Sequence, residues 1–343
     1  MKRHALFIVF FNAIFLTLCL AEANAQDTRP AVPAATASNT SMPAVRIARF
    51  SGDCSAAICY TFDDNLRDQF TLAVPMLNDV GFKGTFFVIA GKTPETAIPE
   101  PNQKNPPRNI SWAELKEMSN QGHEIANHSW SHAKFTTLPP AELEAELSKA
   151  YEAINAHIGK PPLTLAFPGN ASNPEVRTAC LKYHVTLRTY QYGIGGKSTI
   201  QSLNTWTDSL IAGKKWGVAM LHAIVLGYDQ LTNPEILRAH LKYVKTSESD
   251  IWVDTFANIA RYERERDDTK LQITKSDDKL TCIVKSALDP QRYDVPLTIV
   301  IAAPGVTSAR AKRAGQKLPV RIGKEAIYVD AAPGRQPVVI TWK

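Results

Sequence analysis

Two short segments of the sequence hold side chains that could bind a metal ion. Asp63 and Asp64 are adjacent in the stretch YTFDDN, and His128 and His132 lie four positions apart in NHSWSH. Catalytic zinc sites commonly use three ligands drawn from His and carboxylate and leave one position open for water. Asp64, His128 and His132 supply such a set, and a bound metal lowers the pKa of its water from about 15.7 towards 7. The chemistry that we expect is metal-assisted hydrolysis.

The spacing of these residues predicts how they share the work. The i, i+4 spacing puts both His rings on one side of a helical turn, while Asp64 approaches from a neighbouring strand end. Asp63 points elsewhere and is free to take a proton. Adjacent Asp residues often only form turns, and lone histidines are often surface or core residues, but their conjunction at strand ends favours a metal site. The HExxH motif is absent, because His128 follows His123 and Glu124 at the wrong spacing.

The elements that must position these residues are repeated strand-then-helix units. Such units predict parallel strands joined by crossover helices. About seven units fit a distorted (β/α)7 barrel, and a doubly wound open sheet is the alternative. The stretches YTFDD, HEIANHS, LAFPGN and VAMLHA place their polar residues at the carboxyl ends of strands, where both folds carry catalytic groups.

The chain divides into four predicted regions. Residues 1–25 have Lys2 and Arg3 before a short apolar run and AEANA, which is typical of a secretory signal peptide. Residues 26–44 are rich in Pro, Ala, Ser and Thr and predict a flexible linker. We assign 45–267 to the barrel and 268–343 to a small antiparallel β domain of β-sandwich type. We expect an exported protein, periplasmic or secreted, with no membrane span after signal cleavage.

Charge and cysteine content exclude some classes of function. The net charge is +6, and no basic block is interleaved with aromatic residues, so nucleic acid is not an expected partner. The sequence does not indicate an oligomeric state. In an oxidising compartment Cys54 and Cys59 are near enough to bridge a hairpin, whereas we expect Cys180 and Cys282 to be buried free thiols. The β domain is either a packing partner for the barrel or a glycan-binding module.

The motifs resemble those of a known family. Thr61-Phe62-Asp63-Asp64, His128-Ser129-x-x-His132 and Leu221-His222 look like the first, second and last motifs of the polysaccharide deacetylases, the NodB-homology domain of carbohydrate esterase family 4. The resemblance covers about Ile47 to Arg266. It implies a distorted barrel of about seven strands, with Asp63 as general base, Asp64, His128 and His132 as metal ligands, and His222 as general acid.

The third motif departs from the family. An Arg commonly pairs there with the catalytic base, but this segment reads AFPGN and begins with Ala166. Another cation such as Arg188 orients Asp63, or the base works unpaired; the sequence leaves both readings open. Gly169 is the candidate for the oxyanion N–H because it occupies the place of the family's aromatic residue, and Asn170 is the alternative.

Two further positions carry expectations. Asn65 stands where the family usually has Gly, and Asn tolerates left-handed backbone geometry. Trp130 lies inside the metal-binding segment, and we expect it to border the substrate. The other aromatic residues that we expect near the mouth of the barrel, as sugar platforms or as packing, are Trp112, Tyr190, Tyr192 and Tyr228.

The sequence as a whole predicts a metal-dependent hydrolase that removes acetyl groups from a polysaccharide or oligosaccharide. We expect N-acetylated amino sugars as in chitin or peptidoglycan, with an O-acetyl (xylan) esterase or a catalytically silent glycan-binding protein as alternatives. A glycoside hydrolase ranks last, because adjacent carboxylates do not flank one bond from opposite sides. The His and carboxylate ligands favour Zn²⁺, although Co²⁺, Ni²⁺ or Mn²⁺ can use the same set.

Overall fold

A parallel sheet that curls into an incomplete barrel positions the candidate site. The computed structural model describes residues 42–96, 109–276 and 279–343. The predicted signal peptide and all but the last three residues of the predicted linker lie outside these ranges.

The strands follow one another along the chain in two groups, the first dominated by parallel pairing and the second antiparallel. In chain order they are β1 (Val45–Ile47), β2 (Ala56–Asp63), β3 (Gly84–Val88), β4 (Glu124–Asn127), β5 (Thr164–Ala166), β6 (Thr186–Arg188), β7 (Tyr192–Gly193), β8 (Trp216–Leu221), β9 (Ile251–Val253), β10 (Lys270–Ser276), β11 (Lys279–Lys285), β12 (Leu297–Ala302), β13 (Ala309–Arg313), β14 (Gln316–Leu318), β15 (Val320–Ile322), β16 (Ala326–Ala331) and β17 (Val338–Trp342).

The helices lie between the strands of the first group, and the last of them leads into the second. They are α1 (Val74–Asp79), α2 (Trp112–Asn120), α3 (Pro140–Ile158), α4 (Pro174–Leu181), α5 (Ile200–Gly213), α6 (Glu235–Thr246) and α7 (Phe256–Asp268). Helix starts follow the sequence signals: Ser111 caps α2 in a capping box with Glu114, and Asn173 caps α4 ahead of a proline.

The parallel strands run in the order β6-β5-β4-β3-β2-β8-β7, and β9 pairs with the first part of β2. The chain thus passes around the sheet in sequence, without the reversal of order that defines a doubly wound fold. β6 and β7 end the path and do not pair with each other, so the barrel is curled but open there. The predicted fold class, a distorted α/β barrel with an added antiparallel β region, is confirmed.

Strand β2 is the centre of the sheet, and all eight of its residues are buried. Ile58, Tyr60 and Phe62 pack with the helices outside the barrel. Ala57 and Cys59 alternate with them and pack in the barrel interior, because successive strand side chains point to opposite faces. The same alternation brings Thr61 and Asp63 into the interior at the carboxyl end of the strand.

The C-terminal region consists of two antiparallel sheets around a shared core. One has the order β1-β12-β16-β15 and the other β10-β11-β17-β13-β14. Residues 45–47, which we assigned to the barrel from the sequence, instead pair with β12 of the first sheet. The reason is their alternation: Val45 and Ile47 pack on this core, while Arg46 points out and pairs with Asp53.

The four cysteines of the described residues are all free. Cys59 lies inside β2 and directs its thiol to the Gly217 carbonyl oxygen, whereas the Cys54 thiol approaches the Glu248 carbonyl oxygen. The Cys54–Cys59 bridge is therefore not formed in this structure. None of the helices in the described ranges is long and apolar enough to cross a membrane.

Candidate metal centre

The carboxyl ends of β2 and β4 bring three side chains into one cluster. The Asp64 Oδ1 atom lies 3.5 Å from His128 Nε2 and 3.4 Å from His132 Nε2. One ligand atom from each residue lies within 4.8 Å of the other two. Tetrahedral coordination with bonds of about 2.0–2.1 Å separates ligand atoms by roughly 3.3 Å. The arrangement therefore fits a small divalent cation.

An unpaired carboxylate oxygen adds to this fit. Asp64 Oδ1 is buried and has no hydrogen-bond partner among the described residues. Burial alone would raise the pKa of Asp64, but the neighbouring His128 and His132 outweigh it, so the pKa lies below its ordinary value. A buried carboxylate oxygen without a partner is costly unless a cation compensates it. Burial also lowers the pKa of His132, which favours the neutral imidazole that a metal requires.

His128 is fixed in the tautomer that a metal ligand needs. Its Nδ1–H donates to the Ala166 carbonyl oxygen at 2.9 Å, because a carbonyl can only accept. The lone pair of Nε2 is then directed at Asp64. A second hydrogen bond of this kind orients the ring and raises its basicity in metal sites.

The segment that carries the two histidines is an irregular loop, and the predicted helical turn is wrong. Ser129 and His132 have left-handed φ angles of 73° and 69°. The Asn127 Oδ1 atom accepts from the Ser129 N–H at 2.7 Å, and the Ser129 hydroxyl accepts from the His132 N–H at 2.8 Å. These local side-chain bonds satisfy N–H groups that a helix would otherwise use.

Glu146 of α3 holds the middle of this loop. One carboxylate oxygen accepts from the N–H groups of Trp130 (3.1 Å) and Ser131 (2.9 Å), and the other accepts from the Ser131 hydroxyl (2.7 Å). Nothing in the sequence marks Glu146, since it is one of several acidic residues in an amphipathic helix. Only the packing of α3 against the loop reveals its contribution.

Asp63 is paired with Arg188, one of the two readings that the sequence left open. The guanidinium donates from Nη1 to Oδ1 at 2.7 Å and from Nη2 to Oδ2 at 2.5 Å. Both side chains are almost fully buried. Burial acts to raise the pKa of Asp63, yet the Arg188 charge and hydrogen bonds prevail and hold it below its usual range. The carboxylate is therefore ionised.

Arg188 is itself held in place. Its Nη1 also donates to the Thr61 hydroxyl at 2.9 Å, and its guanidinium lies 4.9 Å from the centre of the Phe87 ring. Arg188 on β6 is the register partner of Ala166 on β5. The cation thus comes from the strand next to the one on which the family motif would carry it.

His222 lies at the end of β8 and close to the same centre. Its charge contributes to lowering the pKa of both Asp63 and Asp64. The buried Gln69 amide donates to the Asp63 carbonyl oxygen at 2.6 Å and to the His222 carbonyl oxygen at 2.7 Å. One side chain therefore ties together the two strand ends that carry the predicted base and acid, a role that the sequence did not suggest.

The loop after β8 carries exposed apolar and aromatic side chains, and the Asp68 carboxylate holds its backbone. The Asp68 Oδ2 atom accepts from the backbone N–H groups of residues 224, 225 and 226 at 2.8, 2.7 and 3.1 Å. In that loop Leu226 and Tyr228 are 73% and 75% exposed, and the Tyr228 ring meets the His222 ring edge to face at 5.0 Å. Asp68, four residues after Asp64, could have been noted in the sequence as a further buried acid.

The remaining predicted residues have mixed placements. Gly169 is exposed with φ 61°, and the Asn170 N–H already donates to the Phe167 carbonyl oxygen, which leaves Gly169 as the better candidate donor. Trp130 packs closely over Gly91 and is partly exposed. Asn65 adopts φ 41° and bonds the Ile89 N–H through Oδ1.

The other aromatic residues expected at the mouth mostly serve packing. Trp112 stacks on His157, Tyr192 stacks on Trp206, and Tyr190 contacts Trp216. Because Trp216 begins β8, Tyr190 lies near the opposite end of the strands from the metal cluster. Tyr228 is the one of these four that contacts a predicted catalytic residue.

An α/β barrel with His and carboxylate ligands at the carboxyl ends of its strands is typical of metal-dependent hydrolases. Comparison with known families gives a more specific result, because residues 52–187 match the model of the family described as polysaccharide deacetylase. The matched segment contains the first two motifs that resemble this family, with Asp63, Asp64, His128 and His132.

Curated relatives match the chain at low identity. A gellan lyase from Bacillus sp is 24% identical over 343 residues, which is 86% of this chain and 13% of the lyase. Chitin deacetylase 1 of Cryptococcus neoformans var. grubii is 27% identical over 147 residues, 43% of this chain and 28% of that protein. Peptidoglycan-N-acetylglucosamine deacetylase PgdA of Listeria monocytogenes is 26% identical over 159 residues, 45% and 31%. The chain therefore spans less than a third of each relative.

Proposed function

We propose that the chain is an exported, metal-dependent deacetylase that removes acetyl groups from N-acetylated amino sugars in a polysaccharide or oligosaccharide. The observation that carries this proposal is the Asp64, His128 and His132 cluster, whose ligand atoms lie within 4.8 Å of one another, in a segment that matches the polysaccharide deacetylase family. The names of the chitin and peptidoglycan deacetylases support chitin-like or peptidoglycan substrates. The small share of the gellan lyase that is matched gives no reason to extend its lyase activity to this chain.

Asp64, His128 and His132 would hold the metal ion, with Zn²⁺ as the first candidate and Co²⁺, Ni²⁺ or Mn²⁺ able to use the same ligands. When bound, the ion supplies an acidic water and polarises the acetyl carbonyl group. The protein supplies the geometry. The Ala166 carbonyl orients His128, and the Ser129 hydroxyl, in a loop held by Asn127, accepts from the His132 N–H.

The chain's own acid and base complete the reaction. Asp63, kept ionised by Arg188, would accept the proton that the attacking water molecule loses as the water oxygen bonds to the acetyl carbon. The Gly169 N–H stabilises the negative charge that develops on the carbonyl oxygen. His222 then donates a proton to the sugar nitrogen as the carbon–nitrogen bond breaks. An amine leaves poorly without that proton, whereas an alkoxide depends on it less.

Acetate release tests this proposal directly. The purified protein is incubated with chitin oligomers, peptidoglycan and acetylxylan, before and after chelation and after Zn²⁺ is added back. We expect release from the N-acetylated substrates, loss on chelation and recovery with metal. Release from acetylxylan alone would assign an O-acetyl esterase. A protein that binds metal and glycan but releases no acetate would instead be a silent glycan-binding protein.

The His222→Ala variant separates the amide from the ester reaction. Because His222 protonates the leaving amine, we expect acetate release from an N-acetyl substrate to fall by about 100-fold or more, and release from an O-acetyl ester to fall less. Equal losses on both substrates would contradict the assignment of His222 as the acid for amide hydrolysis.

A further inference from the structure

The five-stranded sheet of the C-terminal region has one face that no described part of the chain covers. Alternate residues of its strands, such as Leu280, Cys282, Val338 and Ile340, point into the shared core. The intervening residues point outwards and are exposed or half-exposed. The register across the sheet places them in continuous rows, for example Lys279 beside Thr341 and Thr341 beside Arg310.

This outer face is strongly positive. It carries six cations, which we call the basic face: Lys270, Lys279, Lys285, Arg310, Lys312 and Lys317. The five strands contain no Asp or Glu. The nearest acidic residue in sequence that the structure describes is Asp268, two residues before Lys270, and its Oδ2 atom accepts from the Ser286 hydroxyl and the Ala287 N–H. Asp277 and Asp278 stand between β10 and β11 in the sequence and are outside the described residues. Within the described part of the chain, none of the six forms an ion pair with a carboxylate, since the ion pairs there involve other cations.

Protection of sheet edges explains only part of this pattern. Lysine on an edge strand prevents that edge from pairing with a strand of another molecule. This accounts for Lys270 on β10 and Lys317 on β14. It does not account for the cations of β11 and β13, which are inner strands of the sheet. Lys312 of β13 lies directly opposite Lys317, and like charges in such cross-strand pairs destabilise a sheet. An anionic partner would compensate this repulsion.

We propose that the basic face binds an acidic polysaccharide whose sugar units carry carboxylates. The outward side chains between the cations are mainly hydroxyls and amides, including Gln272, Thr274, Thr281 and Thr341, which can hydrogen-bond sugar hydroxyl groups. No aromatic ring lies on this face of the described strands, so it lacks the stacking groups that bind single-stranded nucleic acid. Its apolar members, Ile283 and Val339, are too few for insertion into a membrane. The proposal does not depend on the deacetylase assignment.

Affinity electrophoresis of the purified protein tests this binding. The gels contain polygalacturonate as the acidic polymer or dextran as the neutral one, and separate mixtures contain double-stranded DNA or vesicles with an anionic lipid. We expect retardation by polygalacturonate that weakens at high salt, and none by dextran. Stronger binding to DNA or to vesicles than to polygalacturonate would overturn the choice of partner.

A matched pair of variants identifies the surface. Lys312→Glu/Lys317→Glu should weaken retardation by about tenfold or more, because it places like charge against the polymer. Lys160→Glu/Lys242→Glu changes the net charge equally at exposed positions on α6 and just after α3, and should have little effect. If the first variant does not fold, Lys312→Gln/Lys317→Gln replaces it. An equal loss of retardation in both double variants would mean that only the net charge of the protein matters, and it would overturn the proposal. Acetate release measured in parallel keeps this result separate from the catalytic assignment.

Discussion

Arg188 supplies from β6 what the family motif would supply from the position of Ala166 on β5. The two residues are register partners on neighbouring strands, and strands in a sheet are only about 4.8 Å apart. A long side chain from either position can therefore reach the Asp63 carboxylate. The sequence left the partner of Asp63 open, because the distance between two side chains that are 125 residues apart depends on strand order, which no local pattern encodes.

We predict that Arg188→Ala lowers the rate of acetate release by about 100-fold, because Asp63 loses the bidentate contact that orients it. The variant should also lose about 3–5 kcal/mol in the free energy of unfolding, since it leaves a buried charge unpaired. The double variant Ala166→Arg/Arg188→Ala returns a cation to the neighbouring strand and should recover part of the rate. Rates are measured with an N-acetylated oligomer, and stability by urea unfolding.

Arg177→Ala is the control, because Arg177 is an exposed arginine on α4 that bonds only the Ser172 hydroxyl. It should leave both measurements nearly unchanged. A folded Arg188→Ala protein with the full wild-type rate would show that the base works without a cationic partner, the reading that the sequence could not exclude.

At the scale of elements, the strands were predictable and the metal loop was not. The stretch HEIAN was predicted as a strand ahead of the metal-binding segment, and β4 forms there. The i, i+4 spacing of His128 and His132 suggested a helical turn, but two left-handed residues and the Asn127 and Ser129 side-chain bonds produce a different loop. Spacing alone did not specify the backbone, because Asn and Ser side chains compete with helical hydrogen bonds.

We predict that Glu146→Ala weakens metal binding by about tenfold to 100-fold, because supports behind the ligands commonly contribute that much. The loop would lose three hydrogen bonds, two of them to the backbone of residues 130 and 131. Metal affinity is measured by competition with a chromophoric chelator. Glu142→Ala on the same helix is the control, since Glu142 is exposed and one turn away. Equal weakening in both variants would point to a general effect of charge on α3.

For the whole molecule, periodicity predicted the barrel and the antiparallel region, because each depends on which face of an element is apolar. The assignment of residues 45–47 to the barrel was wrong. Three residues with an alternating pattern fit the edge of either sheet, and in the structure they pair with β12 of the antiparallel region. The basic face could not be predicted from the sequence either. Its cations are spread over 48 positions from Lys270 to Lys317, and only the strand order brings them onto one surface.

Buried ionisable groups link the fold to pH. Burial lowers the pKa of His123, His184 and His240 from the ordinary His value of 6.5 to about 4 each. Burial raises the pKa of Glu265 to about 7, so this carboxyl acts in the opposite sense. His240 is neutral and fully bonded: Tyr60 donates to its Nε2 at 3.0 Å, and its Nδ1–H donates to Asn204 at 3.1 Å.

We predict that His240→Gln reduces the loss of stability on acidification. Between pH 6.5 and about 4 the unfolded state binds a proton at residue 240, whereas the folded state does not. The free energy of unfolding therefore falls as the pH falls through this range. Each such histidine contributes a slope of at most about 1.4 kcal/mol per pH unit, and Glu265 offsets one of the three. Urea unfolding of wild type and variant across this range gives the difference in slope, in which the groups common to both proteins cancel.

His184→Gln should give a similar reduction, and the effects of the two substitutions should add, since each removes one proton that the unfolded state binds and the folded state does not. Parallel stability curves for wild type and both variants would mean that these histidines accept protons in the folded state and that their burial does not govern the acid sensitivity of the protein.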